Sequence, residues 1–160
     1  MIQYPPNVHR CPQLFMKTNT QILPGIKHVF WLDTRGLPPM VSLQSKSQLM
    51  ISILTDLHHI EIFDDAECEL TSEKENNGTK ETATLKFNCG SRVPDNNNIA
   101  FVFYDNNGHP YLIGSKERPA KVGYKYRSAT PSGESAGYEY EISHVDIKTV
   151  LPCKIYIDNV

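Results

Sequence analysis

The 160-residue sequence has no apolar run approaching the roughly 20 residues of a membrane-spanning helix. Its longest greasy stretches are His28-Val29-Phe30-Trp31-Leu32 and Leu49-Met50-Ile51-Ser52-Ile53-Leu54. It lacks a basic segment followed by an apolar one at the N-terminus, so a secretory signal is not expected there and assembly in the cytoplasm is. It also lacks a surplus of either charge. With 16 Lys+Arg against 18 Asp+Glu, the net charge of −2 argues against a binder held to nucleic acid by electrostatics. No Cys-x-x-Cys, His-x-His or His-Glu-x-x-His spacing occurs, which removes the usual frameworks for zinc, and no glycine-rich phosphate loop is present. The expectation is therefore no metal, no cofactor and no catalytic residue.

Four cysteines are present: Cys11, Cys68, Cys89 and Cys153. Wide spacing and the absent leader predict free, buried thiols rather than disulfides. At 39% hydrophobic the chain is well above the disordered range, and its length suits one domain.

Residues 1–24 differ from the rest of the chain. Pro5, Pro6, Pro12 and Pro24 remove backbone donors and fix φ, so neither a long helix nor a central strand is expected. The segment nevertheless carries apolar residues, among them Leu14, Phe15 and Ile22. This predicts an extended arm that wraps a neighbouring subunit, the alternatives being a loose terminus or an arm docked on its own core. Residues 25–160 read as a single β-domain.

Alternation of period two gives the strands. Gly25–Asp33 is the first, Gln48–Leu54 a second, although a short helix over Ser45–Leu57 is an alternative reading. A long hairpin spans His59–Cys89. Ile60, Ile62, Ala66, Cys68 and Leu70 share one face of its first arm, with Asp64 as the exception. Ala83, Leu85, Phe87 and Cys89 share one face of the second arm. Placing the turn at Glu73–Gly78 sets Glu73 opposite Gly78, Cys68 beside Ala83 and Asp65 beside Lys86. The tip at Asn76, Asn77 and Gly78 is a candidate subunit contact, together with Leu14, Phe15 and Ile22. Asp105-Asn106-Asn107-Gly108 joins a second hairpin, Ile99–Tyr104 to Pro110–Gly114, because Asn-Gly between apolar runs favours a tight turn. Ala120–Arg127 and Gly137–His144 pair antiparallel, basic positions against acidic ones. Lys154–Ile157 closes a set of eight or nine strands. The fold class is all-β, a β-sandwich or open barrel of antiparallel strands with a long hairpin and an N-terminal arm.

Several residues invite chemistry. His58 and His59 are adjacent on a strand and so point to opposite faces. His144 and Asp146 read as a strand-end surface pair. Gly133-Glu134-Ser135-Ala136-Gly137 matches a nucleophile elbow in letters, but joins two strands where an elbow needs a strand and a helix. The acidic run Glu61, Asp64, Asp65, Glu67, Glu69 lacks calcium-loop spacing and reads as a solvated face. Tyr124, Tyr126, Tyr138 and Tyr140 could stack on a base or a sugar, or pack a half-buried face.

The order of the apolar run Ile99–Tyr104, Asp105-Asn106-Asn107-Gly108, Tyr111-Leu112-Ile113-Gly114-Ser115, Arg118-Pro119-Ala120 and Gly137-Tyr138-Glu139-Tyr140-Glu141-Ile142 resembles small tail and head–tail connector proteins of Bacteroidetes phages and prophages, over about residues 25–150. The resemblance implies a non-enzymatic virion subunit that forms a homo-oligomeric ring or collar with other virion proteins. The alternative expectation is a small β-sandwich carbohydrate-binding or adhesion module that uses Tyr124, Tyr138 and Trp31.

Overall fold

The central piece of the sheet is a hairpin of β5 (Ile62–Glu75) and β6 (Gly78–Cys89). Cys68, Ala83, Leu85, Phe87 and Cys89 are buried along one face while Glu67, Glu69 and Lys86 meet solvent, so the alternation in the sequence is the alternation in the fold. In this computed structural model residues 20–22, 25–76, 78–94, 96–128 and 136–156 are described.

Around the hairpin lie β1 (Thr20–Ile22), β2 (Ile26–Asp33), β3 (Ile51–Ile53), β4 (His58–Ile60), β7 (Ile99–Asp105), β8 (Pro110–Ile113), β9 (Lys121–Arg127), β10 (Gly137–Asp146) and β11 (Val150–Ile155). The sheet order is β3-β11-β8-β7-β2-β5-β6-β10-β9, with β1 added beside β5 and β4 beside β2. Pairing is antiparallel except between β11 and β3. The sheet folds over on itself. One leaf (β1, β5, β6, β10, β9) and the other (β4, β2, β7, β8, β11, β3) contribute to one core, in which Leu85, Phe87 and Ile142 meet Val29, Phe101 and Phe103. The fold class is all-β, with the sandwich character the alternation predicts.

The leaves join where Ile26 of β2 pairs with Ala66 of β5. At that point β5 is irregular: Phe63 pairs with Asn88 and Glu67 with Lys86, so Asp64, Asp65 and Ala66 stand against Phe87 alone. Extra residues in one strand bend it and increase its twist. Asp64 takes φ +59°, a conformation Asp tolerates better than most residues. The one polar residue that breaks the apolar face of this arm is thus the residue at the bend.

A second core lies on the far face of the second leaf. Leu32, Ala100, Val102, Leu112, Leu151 and Ile53 pack there beneath Leu37 and Val41. β7 is therefore buried on both faces, which explains its dense β-former run. Val41 belongs to α1 (Val41–Lys46), a six-residue helix. This corrects the expected strand over Gln48–Leu54, of which only Ile51–Ile53 pairs, and the alternative helix over Ser45–Leu57, because the helix begins earlier.

The long-hairpin register is also corrected. Glu75 pairs with Gly78, Cys68 with Leu85 and Leu70 with Ala83, two residues from the expected pairing. A shift of two preserves the faces, so alternation could not distinguish the registers. Lys86 stands opposite Glu67 rather than Asp65. The strands run on almost to the tip, and β10 covers β6 from Glu81 to Cys89, so the bulk of the hairpin is interior sheet and its exposed projection is short. The second hairpin forms at Asp105–Gly108 as expected. Asp105 Oδ1 accepts hydrogen bonds from the backbone N–H groups of Asn107 and His109, both at 2.9 Å, and Gly108 takes φ +82°. Those bonds hold the Asp105 carboxyl below its ordinary pKa. The last strand begins at Val150, earlier than Lys154, and eleven strands are described against the eight or nine expected.

Candidate assembly interface

β9 ends the first leaf. It pairs with β10 from Gly137↔Arg127 to Ser143↔Lys121, and among the described residues nothing pairs with its other side. The antiparallel pairing is as expected, and it sorts the side chains of this edge into two unlike sets.

On the outer face, Lys121, Lys125 and Arg127 of β9 form a basic column. Glu139 and Glu141 of β10 form an acidic one, Lys80 and Lys86 of β6 a basic one, and Glu67, Glu69, Glu73 and Glu75 of β5 an acidic one. The signs alternate across the leaf, so that it ends on a basic rim at β9. Arg127 Nη2 lies 3.2 Å from Glu139 Oε2, an exposed pair of small energetic weight. Gly123 interrupts the basic column, and with no side chain there a groove of about 450 Å³ opens between Lys86, Lys125, Glu139 and Glu141.

On the inner face, cross-strand pairs set Tyr138 beside Tyr126 and Tyr140 beside Tyr124. Burial falls steadily towards the edge. Tyr140 is 1% exposed and its hydroxyl accepts a 2.8 Å hydrogen bond from the Val93 N–H. Tyr124 is 43% and Tyr126 58% exposed. The rings meet at angles: Tyr124 and Tyr138 are edge-to-face at 5.8 Å, and Tyr126 and Tyr138 are tilted at 5.0 Å. The Arg92 guanidinium lies 5.6 Å over the Tyr124 ring. Period-two reasoning places the four tyrosines on one face but misses Arg92, because a connector carries no period. Trp31 is elsewhere, on the second leaf, stacked on His58 at 4.1 Å.

The candidate contact residues are dispersed. Ile22 lies in β1, opposite Glu69 of β5. Asn76 sits in the hairpin turn, and Gly78 opens β6 with φ +130°, exposed and with open space where a Cβ would stand. Leu14, Phe15 and Asn77 lie outside the described residues, as does most of the Ser135 motif.

A second polar cluster joins β10 to α1. Ser42 Oγ donates to Asp146 Oδ2 at 2.8 Å, Arg118 Nη1 lies 3.9 Å from Asp146 Oδ1, and His144 Nε2 lies 3.8 Å from Asp146 Oδ2. The expected surface pair of His144 and Asp146 is corrected: His144 is 3% exposed, packed beside Ala83. Its Nε2 has no hydrogen-bond partner among the described residues. Serine here bonds to the carboxylate rather than the imidazole, so the three residues do not form the relay of a hydrolase, in which histidine stands between the other two. His58 and His59 do diverge, as expected: His58 stacks on Trp31, whereas His59 contacts Phe30 on the opposite face.

Among the described residues no group of three His, Cys, Asp or Glu side chains is placed to hold a metal ion, and no helix is long and apolar enough to cross a membrane. No protein-family model, curated protein or solved structure matches the chain.

Proposed function

We propose that the chain is a non-enzymatic structural subunit of a tailed-phage virion, which assembles into a ring or collar of the tail or head–tail connector through its arm and its sheet edges. The observation that carries this reading is the β9 edge, seven residues long, unpaired on one side among the described residues and bordered by exposed tyrosines. Such an edge presents ready hydrogen-bonding groups to a strand of another virion protein, while heterologous contacts between identical subunits, made by the arm, close into rings. The order of motifs over residues 25–150, which resembles phage connector proteins, supplies the virion setting. Native mass spectrometry and electron microscopy of the full chain, alone and with its genomic neighbours, test it. Rings or a defined complex are expected; a strict monomer that joins no complex overturns it.

A second reading, a carbohydrate-binding or adhesion module, draws support from the exposure of Tyr124 and Tyr126. Two observations weigh against it. The tyrosines meet edge-to-face and tilted, which gives no flat stacking platform, and Trp31 belongs to the other leaf. Glycan-array binding that disappears in Tyr138→Ala would reverse the order of the two readings.

A further inference from the structure

We infer that the open edge of β9 is a docking site for an extended strand of another protein whose residues alternate between acidic and apolar. This edge binds such a strand whether or not the chain belongs to a virion.

Three properties of the edge point to that occupant. First, β9 is regular: it pairs with β10 without a register shift across all seven residues and contains no proline. Edge strands are commonly blunted by brevity, proline or bulges, and β9 has none of these. The other end of the sheet, β3, is three residues long. Second, the two faces of the edge differ. A strand added beside β9 would set one face of its side chains beside Lys121, Lys125 and Arg127, and the other beside Val122, Tyr124 and Tyr126. Opposite charges across a strand pair stabilise it and like charges oppose it, so the outer positions of the incoming strand are acidic. The exposed tyrosines call for apolar residues at the inner positions, where the incoming strand would complete the rim of the core.

Third, the same rule discriminates among occupants. Lysine on an edge is a common guard against self-association. If β9 paired with β9 of a second copy, every register that kept outer face to outer face would bring the basic column against itself. Residues 1–19 of this chain contain His9, Arg10 and Lys17 and no acidic residue, so they do not complement the rim. An acidic, alternating strand from another protein does. Strand addition of this kind draws affinity from the backbone ladder and specificity from alternate side chains.

The test uses the full chain, labelled with nitrogen-15, at low salt. Three blocked seven-residue peptides are titrated into it: one alternating Glu and Val, one alternating Lys and Val, and the Glu–Val sequence N-methylated at every amide. Chemical shifts and amide exchange over residues 121–127 are followed. The acidic peptide is expected to shift and protect β9 amides and to bind at least tenfold more tightly than the basic one. The N-methylated peptide is expected not to bind. A Lys121→Glu, Lys125→Glu double variant, checked for a native-like spectrum, should reverse the preference. Equal binding of acidic and basic peptides, binding by the methylated peptide, shifts centred on another edge, or no binding overturns the inference. So does protection of the β9 amides in the free protein, whether independent of concentration, which would assign the edge to a segment of the same chain, or rising with it, which would assign it to a second copy.

Discussion

The buried imidazole of His144 makes stability depend on pH in a way a single substitution can isolate. Burial holds its pKa below the ordinary 6.5; Asp146, 3.8 Å away, pulls it up, and the Arg118 cation pushes it down again. In the unfolded chain His144 takes a proton as the pH falls through about 6.5, while in the native state it stays neutral further down. The unfolded state then binds more protons than the native one, so the contribution of His144 to stability falls with acidification and is nearly constant above about pH 7. The slope is at most about 1.4 kcal/mol per pH unit for one proton, which amounts to at most about 2 kcal/mol between pH 6.5 and pH 5. His144→Phe removes the titration and the unpartnered Nε2 together, on a face lined by Ala83, Tyr140 and Ile142. Urea unfolding of wild type and variant at pH 5, 6, 7 and 8 gives the difference in stability at each pH. Because all other groups are common to both proteins, a pure packing change adds a constant offset. The difference must move in favour of the variant as the pH drops. A difference that stays constant from pH 8 to pH 5 refutes a buried, neutral His144.

Three other outcomes rest on individual contacts. Tyr140→Phe leaves the Val93 N–H without its buried acceptor and should cost about 1–3 kcal/mol in urea unfolding; no loss would mean that water or another group replaces the hydroxyl. Gly114→Ala should destabilise by about 1–3 kcal/mol or more in thermal melts, because Gly114 takes φ +106° and an added Cβ would stand 3.0 Å from Ala100 Cβ and 3.2 Å from its Cα. Burial pushes the thiols of Cys68 and Cys153 up to about 12, so at pH 8 both should resist iodoacetamide in the folded protein and react on unfolding, with mass spectrometry locating the adducts; rapid native labelling would contradict their burial.

What can be read in the sequence is mostly what alternation encodes. The faces of β5, β6, β9 and β10 follow from period two, and the Asp105–Gly108 turn follows from Asn-Gly. The two-residue error in the hairpin register has the same origin, since pairings two apart share faces and only the position of the turn separates them. α1 escapes notice because six residues are too few for a helical period. β1 escapes because its three residues form a strand only by pairing with β5, distant in the chain, and lie in a segment whose prolines argue against one. His144 reads as a surface residue because its burial depends on groups distant in the chain: Ala83 pairs beside it, and Ser42 and Arg118 gather on the neighbouring Asp146. The tyrosine face is visible, but its gradient from buried Tyr140 to exposed Tyr126 depends on where the second leaf stops, and no local pattern records that.

The position of β2 between β5 and β7 has a consequence for the order in which the molecule can form. β5 and β6 pair across a turn, so their ladder needs only local sequence. β2 is made early but finds β7, residues 99–105, only after the whole hairpin and its connector have been added. β3, residues 51–53, waits for β11, residues 150–155. Pairings of such sequence separation are slow, because loop closure precedes the contacts that reward it. During synthesis the hairpin ladder is therefore the first long pairing that can form, β2 gains β7 only once residues 99–105 are made, and the apolar residues of β3 wait for residues 150–155.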